Sequence, residues 1–309
     1  MAIRSIKSRI VEIVFKLTQK KKLTSAAKIK QFAQKHDKYT PAKILFRMFH
    51  IKKTSINGRP CYEFKRHGKI NNKKIIYIHG GGFILEISPI HWDFIARLAI
   101  KSRATIYIPI YPLSTSKYSG RRDAYTMLTS LYKQLLSSTS SADITIMGDS
   151  AGGNMTLVFG QQLKVMKLPQ PTNIIALSPL VNMVHDLKQI KEMCDVDPVL
   201  PWKLFQIANK WYVANDNIKD LVYTSINKYD NPIYTPALGD SKDIGKITIF
   251  IGTHEALYHQ VHLYHQSLLK QGIDHNYFVG KRMFHVYAIF RMPEGKIALR
   301  RIVKIINAK

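Results

Sequence analysis

The stretch Ile144 to Asn154, ITIMGDSAGGN, leaves few folds open to this chain. An apolar β-type run, Ile144 to Met147, leads into Gly148-Asp149-Ser150-Ala151-Gly152, and a helix-compatible stretch follows. Strand, Gly-x-Ser-x-Gly and helix in that order is what a nucleophile elbow requires. The turn is so tight that Gly148 and Gly152 stand where a Cβ would meet backbone, with Ser150 at the tip. A glycine-rich turn with Ser150 as a helix N-cap is the plainer reading of the same residues. What separates the two is whether the chain also supplies a base, an acid and donors for an oxyanion, in a workable order.

Strand-like and helix-like segments alternate around this stretch. Residues 50–67 alternate in short runs broken by Asn57-Gly58-Arg59-Pro60, an opening antiparallel pair. A compact apolar strand, 73–78, runs straight into His79-Gly80-Gly81-Gly82-Phe83. Three successive glycines are costly as generic structure and make sense where backbone must approach a ligand and present N–H groups. A helix over about 89–101, a strand over 105–109 and a helix over about 119–137 lead to the elbow strand. The elbow helix, about 153–167, is followed by a strand over 173–177. After a long excursion come a strand over 246–251, a helix over about 256–271 and a strand over 276–279. A final helix is expected from about His285, interrupted near Pro293. Such alternation implies right-handed crossovers and a largely parallel sheet. The excursion between Ser178 and Lys246 reads as short helical pieces over one sheet edge, which suits a lid. Its aromatics, Trp202, Phe205 and Trp211 among them, line an apolar substrate pocket or pack the lid on the core; the pattern allows both.

A serine hydroxyl becomes a useful nucleophile only when a base takes its proton and a third group orients that base. The strand ending at Ile251 opens into Gly252-Thr253-His254-Glu255, and the last strand opens into Lys281-Arg282-Met283-Phe284-His285. Both loops leave strand C-termini, the edge where α/β folds build their sites and where Ser150 lies. Glu255 and His285 are therefore the candidate acid and base, whereas Asp274 precedes its strand and belongs to the opposite edge. His254, His259, His262 and His265 form a second cluster, but cysteines and carboxylates at ligand spacing are missing there and no metal is expected.

Charge is the compositional outlier, with 47 Lys+Arg against 20 Asp+Glu in 309 residues. Residues 1–53 hold fifteen of the cations and only Glu12 and Asp37 as acids. A field of that sign attracts polyanions such as an anionic bilayer, nucleic acid or wall polymers. No recognisable nucleic-acid module accompanies it, so nucleic acid is not the expected partner. Residues 2–22 read as an amphipathic helix, with Ile3, Ile6, Ile10, Ile13, Val14 and Leu17 recurring at three- and four-residue steps. It is read either as a lid helix over the site or as a helix lying on an anionic membrane surface, and the two are compatible. A second helix is expected from about Thr24 to His36, and Thr40-Pro41 can open a third. No apolar run reaches the roughly 18 residues of a membrane span. Cys61 and Cys194 imply no disulfide framework and fit a reducing compartment.

Taken together, His79-Gly80-Gly81-Gly82-Phe83, Gly148 to Asn154, Ser178-Pro179-Leu180, Asn231-Pro232 and Thr235 to Asp240 resemble the hormone-sensitive-lipase-like branch of the α/β-hydrolases, from about residue 70 to the end. The resemblance implies an α/β-hydrolase fold: a mostly parallel sheet of about eight strands flanked by helices, with a helical lid. Residues 1–50 would form a basic helical lid segment, and 51–309 the catalytic domain with a lid insertion at about 182–225. Ser150 would be the nucleophile, His285 the general base and acid, and Glu255 the acid where the family usually has Asp. The N–H groups of Gly81, Gly82 and Ala151 would form the oxyanion hole, with His79 stiffening the glycine loop. Phe83, Trp202, Phe205 and Trp211 are the expected substrate contacts. The chain departs from the family in having His259 where a second acid is usual, Val286 after His285 where Gly is usual, and Tyr111-Pro112-Leu113 where an arginine is usual. The implied activity is a cofactor-free serine carboxylesterase acting on short- to medium-chain acyl esters. A lipase or amidase of the same fold and a non-catalytic relative are the alternatives. The expected setting is cytoplasmic, with peripheral attachment to the inner face of the membrane and a homodimer both left open.

Overall fold

The computed structural model describes residues 4–18, 25–35, 39–115, 120–183, 187–213 and 231–308. Its strands are β1 (Phe49–Ile56), β2 (Arg59–Arg66), β3 (Lys74–Ile78), β4 (Thr105–Pro109), β5 (Ile144–Asp149), β6 (Asn173–Leu177), β7 (Lys246–Gly252) and β8 (His275–Gly280). They form one eight-stranded sheet in the order β1-β2-β4-β3-β5-β6-β7-β8. The first two form a hairpin over Asn57-Gly58, both in the left-handed region that a two-residue turn of matching twist requires. β2 also pairs antiparallel with β4, and every later pairing is parallel.

Ten helices are described: α1 (Ile6–Thr18), α2 (Ala26–Lys35), α3 (Lys43–Met48), α4 (Pro89–Ser102), α5 (Arg121–Leu136), α6 (Ala151–Val165), α7 (Leu187–Val196), α8 (Trp202–Val213), α9 (Tyr258–Lys270) and α10 (Pro293–Ile306). Helices cover both faces of the sheet, which is why β5 and β6 are buried along their whole length and mostly apolar, without a solvent-facing polar side. Successive residues of β3 divide between the faces. Ile75 and Tyr77 pack with α4 and α10, while Ile76 and Ile78 pack with α5, α6 and α9. The chain enters at β3, crosses to β4 on one side and then to β5 on the other. The loops after β3 and β5 therefore open side by side at a topological switch point.

Over this edge lies a helical cover. Ile29 of α2 packs against Leu204, Ile207 and Ala208 of α8. α1 rests on the start of α10, where Ser5 donates its N–H and its hydroxyl to the two oxygens of Glu294, at 2.7 and 2.8 Å. Val11 and Phe15 of α1 pack into the cluster on the α4 and α10 face.

Two boundaries differ from expectation. No α-helix begins at His285: a short 3₁₀ turn, Tyr287–Ile289, follows, and α10 starts at Pro293, whose missing N–H costs nothing at the first helical position. α3 begins at Lys43 rather than at Pro41. The expected helix starts Thr24 and Ser119 and the later part of the lid insertion lie outside the described residues. Among the described residues no helix is long and apolar enough to cross a membrane.

Candidate active site

Ser150 stands between β5 and α6 with φ 53° and ψ −117°, a strained backbone for a residue carrying a side chain. The glycines beside it are forced by space. A Cβ on Gly152 would lie 2.0 Å from the carbonyl oxygen of Ile78, and one on Gly148 2.5 Å from that of Gly152. The turn is pinned to the next strand by the Ser150 N–H, which donates to Leu177 O at 2.8 Å. The Ser150 hydroxyl lies 2.8 Å from His285 Nε2, and His285 Nδ1 lies 3.1 Å from Glu255 Oε1. The loops after β5, β7 and β8 thus bring the three expected residues into one hydrogen-bonded line. Glu255 is fully buried, and its second oxygen accepts from the Gly252 N–H and from the Ser178 hydroxyl, each at 2.8 Å. Burial alone would hold the His285 imidazolium below its ordinary value. The hydrogen bond and charge of Glu255, with the charges of Asp197 and Asp149 behind it, outweigh burial and raise it.

The glycine loop leaves β3 alongside the elbow. Gly81 and Gly82 have φ of 117° and 62°, and a Cβ on Gly81 would lie 2.6 Å from Leu85 O. Gly81, Gly82 and Ala151 all line the cavity above Ser150, and among the described residues their N–H groups donate to no acceptor. Asp149 couples this loop to the elbow. Buried, it accepts from the Tyr77 hydroxyl at 2.6 Å and the Gly80 N–H at 3.1 Å, and it meets His91 Nε2 at 3.1 Å. His91 Nδ1 accepts the Ser88 N–H, so Nε2 carries the proton and donates. Burial works against an ionised Asp149, but His91, Tyr77 and His79 hold its pKa below the usual range. His79 is stacked on Tyr111, ring centroids 4.4 Å apart, and burial presses its pKa down to about 4. It is neutral near pH 7 and braces the loop, with Nδ1 2.7 Å from Gly80 O.

The cavity holds about 230 Å³, and its walls are mostly apolar: Phe15, Phe32, Leu85, Leu180, Phe205 and Phe290 among others. Of the expected substrate contacts, Phe83 and Phe205 line it. Trp202 and Trp211 do not. Trp202 stacks behind Phe205 with centroids 5.7 Å apart, and Trp211 faces a separate recess with Ile84 and Leu113. α8 turns only one stripe inward, and six residues along a helix place Trp211 well away from Phe205.

Several residues of the site carried no expectation. Tyr77, His91 and Asp149 form the clamp just described. Ser178 joins Glu255 to the base loop by accepting the Val286 N–H at 3.0 Å. Asp197, buried in the loop between α7 and α8, accepts from the Val199 N–H at 2.9 Å and from Ala256, the residue after Glu255, at 3.0 Å. Its pKa is raised to about 6, chiefly by burial and also by the charge of Glu255, with His285 opposing both. An acid directly before the candidate nucleophile was the one legible signal for Asp149. Asp197, in a lid of mixed polarity, had none. No three His, Cys, Asp or Glu side chains among the described residues are grouped so as to hold a metal ion.

A strained serine at a strand-to-helix elbow, a buried histidine and carboxylate behind it, and a glycine loop beside it define a nucleophile site of the α/β-hydrolase kind. Residues 75–289 match the model of the alpha/beta hydrolase fold family, and the chain belongs to that family. A triacylglycerol lipase of Mycobacterium tuberculosis is 23% identical over 228 residues, 74% of this chain but 45% of that protein. An acetyl-hydrolase of Streptomyces hygroscopicus is 23% identical over 251 residues, 78% of each chain. The solved structure of a hormone-sensitive lipase from a metagenome library shares the fold with a TM-score of 0.79 at 22% identity, covering 98% of this chain and 99% of the other.

Proposed function

We propose that the protein is a serine carboxylic-ester hydrolase that works through an acyl-enzyme on Ser150 and takes short- to medium-chain acyl esters. The observation that carries this reading is the unbroken line from Ser150 Oγ to His285 and Glu255 on the floor of an apolar cavity. His285 takes the hydroxyl proton as Ser150 Oγ attacks the ester carbonyl. Charge then gathers on the former carbonyl oxygen, where the N–H groups of Gly81, Gly82 and Ala151 are free to receive it. Each such donor is typically worth about 10²–10³ in turnover. Glu255 stabilises the imidazolium, which returns its proton to the departing alcohol. Water repeats the sequence against the acyl-enzyme, again with His285 as base, and releases the acid. The relatives named as an acetyl-hydrolase and a triacylglycerol lipase support ester chemistry on this scaffold.

Ser150→Ala is expected to abolish hydrolysis of p-nitrophenyl butyrate and labelling by a fluorophosphonate. An alanine variant that still shows burst kinetics would remove Ser150 from the reaction. A second reading, a lipase or amidase acting on membrane-associated lipid esters or amides, is favoured by Phe15 and Phe32. These bring the basic N-terminal segment into the wall of the cavity. It suits an enzyme held at the inner face of an anionic membrane. A chain-length series of esters, with the matching anilides, separates the two.

A further inference from the structure

α1 has two apolar sides and only one of them is used. Ser8 is buried against the protein, and Val11 and Phe15 pack inward. Ile6, Ile10, Ile13, Val14 and Leu17 stand 75, 55, 56, 52 and 65% exposed. At about 100° per residue these five fall within an arc of about 100°, on the side of the helix away from Ser8, Val11 and Phe15. Lys7 flanks one margin of the stripe, and Arg9 and Lys16 the other. The helix's one acid, Glu12, lies toward the inward side and is paired with Arg4 and Lys16. α2 provides the contrast, because its large apolar residues Ile29 and Phe32 turn inward and its outer positions are Ala26, Ala27, Lys28, Lys30 and Gln31. Of the two helices α1 and α2, only α1 leaves a stripe of large apolar residues exposed.

We propose that the outer stripe of α1 docks the protein on a bilayer surface that carries anionic phospholipid. The five apolar side chains enter the boundary between headgroups and acyl chains, and Lys7, Arg9 and Lys16 meet the phosphates. An apolar arc edged by cations on both sides is the pattern that lies in such an interface. Cations near an anionic surface add to it by roughly fivefold in partitioning each, and residues 1–53 carry fifteen Lys/Arg against two acids. A second copy of the chain fits the stripe less well, since a two-fold pairing of α1 would set the same basic margins against each other. Phe15, on the inner side of the same helix, lines the cavity above Ser150. Docking therefore brings the roof of the cavity to the lipid, and the esters presented there are those of membrane lipids. That last step rests on the ester-hydrolase reading; the docking does not.

The test is flotation of the full-length protein with vesicles of phosphatidylcholine alone, or of equal parts phosphatidylglycerol and phosphatidylcholine. The wild type should float with the anionic vesicles only, and Ser150→Ala should float with them equally. Combined Ile10→Ser, Ile13→Ser and Leu17→Ser should lower partitioning at least about tenfold, with an unchanged melting temperature and unchanged hydrolysis of soluble p-nitrophenyl butyrate. Lys7→Gln with Arg9→Gln should weaken binding to the anionic vesicles and lessen its dependence on salt. Three results would overturn the proposal. The wild type ignores anionic vesicles, the triple variant binds as well as the wild type, or the wild type is a dimer that the triple variant converts to monomer without any vesicle binding. None of these depends on whether the protein hydrolyses esters.

Discussion

Ser178 donates its hydroxyl to Glu255 Oε2 at 2.8 Å, and the Ser178 Oγ in turn accepts the N–H of Val286 at 3.0 Å. One side chain at the end of β6 thus ties the acid on the β7 loop to the residue that follows the base on the β8 loop. Ser178→Ala removes both links and leaves a buried carboxylate oxygen with the Gly252 N–H alone. Turnover is expected to fall about tenfold, near the worth of one hydrogen bond to a charged group, with little change in KM. Steady-state kinetics on a soluble ester would show it, and an unchanged kcat would mean that Gly252 suffices.

Glu255→Gln should keep the fold and cost roughly 10³–10⁴ in turnover, because the imidazole loses its orienting charge. Glu255→Asp is the sharper variant. The shorter side chain retreats by on the order of 1 Å from His285, while Gly252 and Ser178 remain placed for the longer one. The aspartate variant is therefore expected to recover only part of the activity, although Asp is the residue usual in the resembling family. A rate equal to wild type would show that the loop adjusts freely.

Tyr77→Phe removes one of the donors that hold Asp149 ionised in the core. A loss of about 1.5–3 kcal/mol in unfolding free energy is expected, as for a hydrogen bond to a buried charge. The Gly80 end of the glycine loop is clamped by the same carboxylate, so fluorophosphonate labelling should slow as well. Denaturant melts beside labelling rates would test it; a labelling rate untouched by a clear loss of stability would separate the clamp from the site.

The acid limb of kcat/KM should reach its midpoint above pH 6.5, since catalysis needs neutral His285 and Glu255 raises that group above its ordinary value. In Glu255→Gln the limb should move to lower pH, because burial is then opposed only by the charges of Asp197 and Asp149. A raised histidine also means that its pairing stabilises the fold fully below its unfolded value and that this support fades as pH rises through the folded value. Rate profiles and melting temperatures of the two proteins across pH 5–8 should therefore converge toward alkaline pH in stability while differing in the position of the limb.

Asp197 behaves with the sign reversed from most carboxylates. Its folded pKa, raised to about 6 by burial, lies above the ordinary aspartate value of 3.8. The protonated form is thus favoured by folding, and that contribution is present in full below the unfolded value and lost as pH rises through about 6. Relative to Asp197→Asn, the wild type should gain stability on going from neutral pH to pH 4, by on the order of 2–3 kcal/mol. Paired melts at the two pH values measure this difference; a constant gap between the proteins would contradict it.

The parallel core was legible because buried strands read as unbroken apolar runs. The line of Ser150, Glu255 and His285 was legible because loops after parallel strands must open at one edge. The clamp on Asp149 was not, because Tyr77 and His91 are 72 and 58 residues distant in the chain and only the fold brings them together. The lid aromatics could be named but not oriented. Which of Phe205 and Trp211 turns toward the cavity is decided by how α8 rests on Ile29, a contact no local pattern records. Periodicity likewise gave α1 an apolar face. It did not say that the fold would turn Val11 and Phe15 inward and leave the isoleucines outside.

Phe15 meets Phe290 edge-on at 5.4 Å between centroids and Phe284 at 6.4 Å, and Phe284 immediately precedes His285. This ring of the cavity wall is thus also a buttress for the chain that carries the base. Anyone seeking to admit bulkier substrates by trimming Phe15 would be loosening the alignment of His285 with the same cut. Under the ester-hydrolase reading, breadth of substrate and speed of turnover are mechanically linked, and relaxing one without the other calls for a replacement prop beneath Phe284.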